Sequence, residues 1–283
     1  MSFRVEYDPR LVEEVVLRAA VGRPEERDFR RGRDRLYELA DPEKREAAFG
    51  AFHGEWFLRL GLCRPLEQAL EERPALARGT RCCAVVRARS KKEEGAELFV
   101  SPDPAEGRAI GLQLRPESFL DSEFLLGLLR HELLHIADML DPRFGYEPGL
   151  PDEGGAMRLV QDRYRALWDA CIDGRLVQEG RAPGAARQQR MQDFSRAFPA
   201  LGEGEFARFF DQPFHTHAEL LERALRPGAG REGRCPLCRL PTRVFEPQPE
   251  GLPPGVLARI RGDFPSWEPG QGVCRQCADL YRG

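Results

Sequence analysis

Residues 121 to 140 are the stretch that most constrains this chain, because on a helix they are apolar nearly all round. One side of that helix would carry Leu129, Leu133 and Ile136, and a helix of this kind is buried. The same helix carries the sequence His-Glu-Leu-Leu-His at residues 131–135. Burying two histidines and a glutamate is costly unless a partner satisfies them. The sequence therefore predicts a polar site on a core helix.

His131 and His135 are four residues apart, so their imidazoles leave the same face of a helix. Two histidines at this spacing can bind one zinc ion, and Glu132 is then placed to act on a metal-bound water. Zinc lowers the pKa of that water, and a nearby carboxylate can accept its proton and deliver it to the leaving group. The spacing predicts His131 and His135 as metal ligands and Glu132 as the catalytic general base.

This motif resembles that of the zincin metallopeptidases, and the match covers residues 121 to 141. The resemblance implies an α+β catalytic domain in which a small sheet packs over the motif helix and a second helix completes the metal site. Short apolar runs before the motif favour three strands in that order, at residues 81–87, 97–100 and 109–114. The apolar pattern after the motif predicts the second helix over residues 157–176.

A catalytic zinc usually has three protein ligands, and the sequence leaves the third one open. In the gluzincin branch, a glutamate on a downstream helix binds zinc and an aspartate four residues later supports the first histidine. Asp169 and Asp173 have this spacing on one face of the second helix. Because aspartate is one methylene shorter, the two roles can be exchanged. Asp169 is the favoured ligand, with Asp173 in support of a histidine and as the alternative ligand.

Two other carboxylates compete for the third position. Asp141 stands where metzincins place a ligand, but a sharp turn at Asp138 would be needed to bring it round. We expect Asp138 to orient His135 from a second layer, and Asp141 to cap the turn before the proline that follows it. Glu153 lies where the SprT-like proteins, which join an HExxH domain to a C-terminal zinc ribbon, carry a third histidine.

Two Cys-x-x-Cys pairs near the C-terminus predict a second metal site. Cys235 and Cys238 form the first pair, and Cys274 and Cys277 form the second. Two such pairs make a tetrahedral thiolate site, which is closed and therefore structural. In so small a module, metal binding supplies much of the folding free energy. The remaining cysteines are expected to be buried small side chains: Cys63, Cys82, Cys83 and Cys171.

These features predict an α+β chain whose main part is a mainly helical, zincin-like catalytic domain with a small sheet. Residues 1–80 are an N-terminal helical region packed on the catalytic domain, which covers residues 81–226. Residues 227–234 form a linker, and residues 235–283 form the zinc ribbon. The remaining histidines are expected to lie outside the metal site: His53, His215 and His217.

The expected function is that of a zinc-dependent, metallopeptidase-like hydrolase with a peptide or protein substrate, one catalytic Zn²⁺ and one structural Zn²⁺. The alternative is a non-catalytic, zinc-stabilised binding or adaptor protein whose ribbon recruits a protein or nucleic-acid partner. A formal net charge of -3 gives no reason to expect a membrane-surface protein. No stretch approaches the roughly 20 apolar residues that span a bilayer, and the first residues are charged, so we expect a cytoplasmic protein.

Overall fold

A computed structural model describes residues 3–103, 107–149, 156–182, 184–199, 201–226, 233–242, 245–246 and 249–282. The described residues belong to two compact units. The first unit takes its residues from 1–148, 171–186 and 213–218, and the second from 149–170, 187–212 and 219–283. The predicted α+β fold class is confirmed, since helices predominate and a four-stranded sheet accompanies them.

The strands are β1 (Arg4–Tyr7), β2 (Cys82–Arg87), β3 (Gly95–Val100), β4 (Arg108–Leu114), β5 (Gly233–Arg234) and β6 (Pro241–Thr242). The helices are α1 (Pro9–Ala20), α2 (Glu26–Leu36), α3 (Pro42–Arg59), α4 (Arg64–Glu71), α5 (Pro74–Gly79), α6 (Ser122–Leu140), α7 (Ala156–Gln178), α8 (Ala186–Ala197), α9 (Glu203–Asp211), α10 (His217–Leu225), α11 (Pro254–Asp263) and α12 (Arg275–Arg282). None of these helices is both long and apolar enough to cross a membrane.

The sheet of the first unit has the strand order β1-β2-β4-β3. Strands β1, β2 and β4 are parallel, whereas β3 pairs antiparallel with β4 and forms an edge. Cys83, Val85, Ile110 and Leu112 are fully buried, so one face of the sheet contributes to the core. The three predicted strands are therefore present, with ends that differ by up to two residues from the prediction.

Strand β1 lies in the N-terminal segment that the sequence predicted to be helical, and for these four residues that prediction is wrong. Its side chains alternate between exposed and half-buried, which is the periodicity of a strand. Pairing with β2 supplies its hydrogen bonds, with Val5 opposite Cys83. Helix α1 follows at once, because Asp8 caps it through a hydrogen bond from the Arg10 N–H and Pro9 occupies the first helical position.

Helix α6 lies in the core of the first unit, as its composition predicts. The Asp121 carboxylate caps it by accepting a hydrogen bond from the Phe124 N–H. Leu129, Leu133 and Ile136 are fully buried in the same core cluster as the sheet residues. One face of α6 is thus held by apolar packing, which leaves the opposite face for the polar residues of the motif.

The scattered cysteines and the histidine of α3 are parts of the core, as predicted. Cys63, Cys82, Cys83 and Cys171 are all buried free thiols. His53 is 2% exposed and lies against the rings of Phe29, Phe49 and Phe52. Burial lowers the pKa of His53, and the positive charge of Arg33 acts in the same direction, opposed by Glu13.

The cysteine module, by which we mean the described residues from 233 to 282, belongs to the second unit and has its own apolar core. Strands β5 and β6 pair antiparallel around the first cysteine pair. The second pair stands at the start of α12. Val256, Ile260 and Trp267 are buried with three of the four cysteines, whereas Cys238 is exposed. The Trp267 indole N–H donates to the Gly272 carbonyl. The domain boundaries predicted from the sequence stay a prediction.

Candidate metal centres

The two motif histidines face each other on the side of α6 opposite to Leu133. Their ring centroids are 4.8 Å apart, and His135 Nε2 lies 3.2 Å from His131 Nε2. Both side chains are partly buried. The helical spacing alone produces this approach, since residues four apart stand one above the other on a helix. The two Nε2 atoms therefore point at a common position.

Asp173 on α7 fixes the orientation of the first histidine. Its Oδ1 lies 2.7 Å from His131 Nδ1, and both side chains are 12% exposed. A carboxylate beside Nδ1 favours the tautomer in which Nδ1 carries the hydrogen and donates it. In that tautomer His131 Nε2 has its lone pair directed towards His135. This is the protonation state that a metal-binding imidazole needs.

Asp169 stands one helical turn before Asp173 on α7. A carboxylate oxygen of Asp169 and one ring nitrogen of each motif histidine all lie within 4.8 Å of one another. On its other side, Asp169 Oδ2 is 3.4 Å from a terminal nitrogen of Arg190, which also pairs with Asp193. The structure thus brings together the three residues that the sequence favours as metal ligands, and they can hold a metal ion.

Two other carboxylates weighed from the sequence, Asp138 and Asp141, are paired with arginines. Asp138 is 4% exposed and accepts hydrogen bonds from both terminal nitrogens of Arg175, at 2.8 and 2.6 Å. Asp141 follows the end of α6 and accepts hydrogen bonds from the Arg143 N–H and its guanidinium, which lower the pKa of that carboxyl. It therefore caps the turn, as expected. Glu153 falls outside the described residues.

Glu132 is in contact with the edge strand of the sheet. Its Oε2 accepts a hydrogen bond from the Ala96 N–H at 3.0 Å. A Cβ atom on Gly95 would lie 3.3 Å from the same oxygen, so the absence of a side chain there gives Glu132 its room. Sequence reasoning missed this partner, because the donor is a backbone group whose position depends on the register of β3.

The four module cysteines form the second centre. Their sulfur atoms lie within 4.8 Å of one another, with Cys235 Sγ 3.9 Å from Cys277 Sγ and Cys238 Sγ 3.9 Å from Cys274 Sγ. Burial would raise the pKa of Cys235, but backbone N–H groups outweigh it and lower that pKa. Burial, followed by the neighbouring thiols, raises the pKa of Cys277. The four sulfur atoms are close enough to bind one metal ion, and a cation at this position would stabilise their thiolate forms.

Neither of the two later histidines belongs to a candidate metal group within the described residues. His215 and His217 are both buried. The His217 N–H donates to the Phe144 carbonyl, and its ring lies against those of Phe144 and Tyr146. Within the part of the chain that the structure describes, the histidines that belong to a candidate metal group are His131 and His135.

No protein-family model matches this chain, and no curated protein and no solved structure gives a significant match. The zincin resemblance therefore stays a prediction.

Proposed function

We propose that this chain is a zinc-dependent hydrolase of the metallopeptidase type, with one catalytic and one structural zinc. The observation that carries the proposal is the convergence of His131, His135 and Asp169, with Glu132 beside them on the same helix. Apolar packing accounts for the other side of α6 but gives no reason for this polar group. The grouping of His131, His135 and Asp169 supports zinc-dependent hydrolysis by its own geometry, and this support does not depend on a relative of known function.

The donor sets of the two centres fit different roles. Two imidazole nitrogens and one carboxylate are a donor set typical of catalytic zinc, which keeps one position open for water. Four thiolates form a closed set, which is typical of a structural ion. The residues of the histidine centre are partly buried and not fully enclosed, which is compatible with an open coordination position for water. We therefore assign catalysis to the histidine centre and stabilisation of the module to the cysteine centre.

Each residue of the histidine centre has a task in such a reaction. Zinc, when bound, lowers the pKa of a water molecule and polarises a carbonyl group. Asp173 holds His131 by its Nδ1, which keeps Nε2 free of a proton. The Ala96 N–H holds Oε2 of Glu132, which leaves Oε1 to accept a proton and pass it to the leaving group.

The edge strand favours an extended peptide as the substrate. The Ala96 N–H points away from β4, since it donates to Glu132, and in an antiparallel ladder alternate residues share this direction. Leu98 and Val100 therefore turn their backbone groups towards the open edge of β3. A peptide that added to this edge would run beside Glu132. A role of the cysteine module in recruiting a partner, and a cytoplasmic location, stay predictions.

The experiment that tests the proposal compares the wild-type chain with Glu132→Gln. Both are loaded with zinc and incubated with a complex peptide mixture, and new peptide termini are counted by mass spectrometry. Loss of the general base is expected to slow cleavage by about 10²–10⁴-fold while zinc per chain stays the same. Glu123→Gln is the matched control, because Glu123 is an exposed glutamate near the start of the same helix.

Two outcomes would decide against this function. If the wild-type chain holds zinc at the histidine centre but produces no more termini than Glu132→Gln, the binding or adaptor function takes its place. If His135→Ala contains as much zinc as the wild type, the histidines do not form a metal site. Equal cleavage by Glu123→Gln and the wild type is required under the proposal.

A further inference from the structure

Asp138 and Arg175 form a buried ion pair next to the histidine centre. The Asp138 side chain is 5% exposed and that of Arg175 is 18% exposed. Both oxygens of Asp138 are engaged by the two terminal nitrogens of Arg175, at 2.8 and 2.6 Å. A two-pronged pair of this kind fixes direction as well as distance. Asp138 lies about one turn beyond His135, so the pair is anchored beside the metal ligands.

The pair is a further polar link between α6 and the segment of α7 that already contacts His131. The first link joins His131 to Asp173 at 2.7 Å. Arg175 stands two residues after Asp173, while His131 and Asp138 lie on either side of His135 along α6. The fork adds a second fixed direction to the His131 contact, so it restrains the rotation of this part of α7 about His131. It acts together with apolar packing, since Ile172 and Leu176 of the same segment are buried.

The pair carries an unfavourable feature that an apolar contact would avoid. Arg175 Nε is buried and has no hydrogen-bond partner within the described part of the chain. A buried ion pair is in general a weak source of stability, and apolar residues of similar volume often do as well or better. We therefore look for the role of this ion pair in the placement of other side chains. The groups that need placing are Asp169 and Asp173, on the same helix.

We propose that Arg175 is a positioning residue of the histidine centre. By holding Asp138, it sets α7 so that Asp173 contacts His131 and Asp169 lies close to both motif histidines. The inference rests on the proposed function, since it supposes a metal ion at this centre. Ligands must be held to within about 0.5 Å for tight binding, and loss of an outer partner typically weakens metal affinity by about 10–100-fold.

The test measures Co²⁺ affinity at the histidine centre of the full chain. Cobalt bound by thiolates gives a sulfur-to-metal charge-transfer band, so the spectrum separates the cysteine centre from the histidine centre. The first variant is Arg175→Lys, which keeps the charge and removes the fork. A second variant, Asp138→Asn with Arg175→Gln, removes both charges and leaves neither buried alone. Far-UV circular dichroism and the melting temperature confirm that each variant is folded.

The matched control is Arg143→Lys, because Arg143 makes the same kind of fork to Asp141 just beyond α6 but is 81% exposed. We expect Arg175→Lys and the double variant to bind Co²⁺ about 10–100-fold more weakly at the histidine centre, with no change at the cysteines. Arg143→Lys should bind as the wild type does. Folded Arg175 variants with wild-type affinity would overturn the inference.

Failure of the proposed function gives a different result. If Arg175→Lys weakens metal binding but Glu132→Gln has no effect on cleavage, the positioning role stands and the hydrolase assignment fails. If the wild-type chain takes up Co²⁺ only at the cysteines, both are overturned. A loss of melting temperature in Arg175→Lys with unchanged affinity would mean that the pair serves stability alone.

Discussion

Replacing Leu133 by alanine tests whether the two faces of α6 have separate roles, one in stability and one in metal binding. Leu133 is adjacent in sequence to Glu132 but points away from the two motif histidines, into the core of the first unit, where it is fully buried. We expect Leu133→Ala to reduce stability strongly and to leave the metal content of the folded chain unchanged.

The size of the effect follows from the surroundings of Leu133. Leu133 belongs to a core cluster with fully buried members on both the helix and the sheet. They include Leu129 and Ile136 on α6 and Leu112 on β4. Such a closely surrounded site has little freedom to collapse, so the cavity term adds to the lost transfer free energy. The free energy of unfolding should therefore fall by about 3–5 kcal/mol. That is a large part of the roughly 5–15 kcal/mol that stabilises a native protein.

The assay is equilibrium unfolding in urea followed by far-UV circular dichroism, with zinc per chain measured in native buffer. A lower midpoint with an unchanged slope is the expected signature of lost packing. Phe124→Ala is the control, because Phe124 lies on the same helix but is 44% exposed, and it should cost under about 1 kcal/mol. A loss below about 1 kcal/mol for Leu133→Ala would refute the assignment of this face to the core. So would a folded Leu133→Ala chain that lacks the histidine-centre metal.

Two further predictions concern the cysteine centre and the buried histidine of α3. Cys277→Ser should remove the metal of the cysteine module and expose Trp267, which is 3% exposed, so that its fluorescence shifts to the red; Trp267→Phe should abolish that shift. Burial lowers the pKa of His53, so the unfolded chain binds its proton more readily than the folded one. The stability due to neutral His53 is therefore complete above about pH 6.5 and is lost below it, by at most about 1.4 kcal/mol per pH unit. His53→Leu should flatten this dependence in urea titrations at several pH values, and an unchanged slope would contradict it.

Local signals in the sequence were sufficient to predict the helix that carries the motif. Asp121 provides a capping side chain, Asp141 and the proline after it end the helix, and the apolar residues between them recur at helical spacing. The predicted ends, 121 and 140, agree with the observed Ser122–Leu140. The histidine pair was equally predictable, because its geometry depends only on the helical repeat.

Features that depend on distant pairing were not predictable in this way. Strand β1 has four residues, two of them charged, and it becomes a strand only through its pairing with β2 about 75 residues later. The contact between Glu132 and Ala96 likewise depends on the register of an edge strand. Asp138 was expected to orient His135, and its fork to Arg175 could not be read from spacing, because an arginine can reach many positions around it.

The roles of Asp169 and Asp173 show that a short carboxylate side chain requires a more precisely placed backbone than a longer one does. The sequence allows either aspartate to be the ligand, since both are one methylene shorter than the glutamate of the gluzincins. In this structure Asp173 lies at Nδ1 of His131, while Asp169 is the carboxylate that groups with both histidines. A shorter ligand must be compensated by a closer or better-fixed backbone. The links from α7 to His131 and Asp138 hold the backbone in this way, so metal affinity here should depend on these outer contacts more steeply than it would with a longer glutamate.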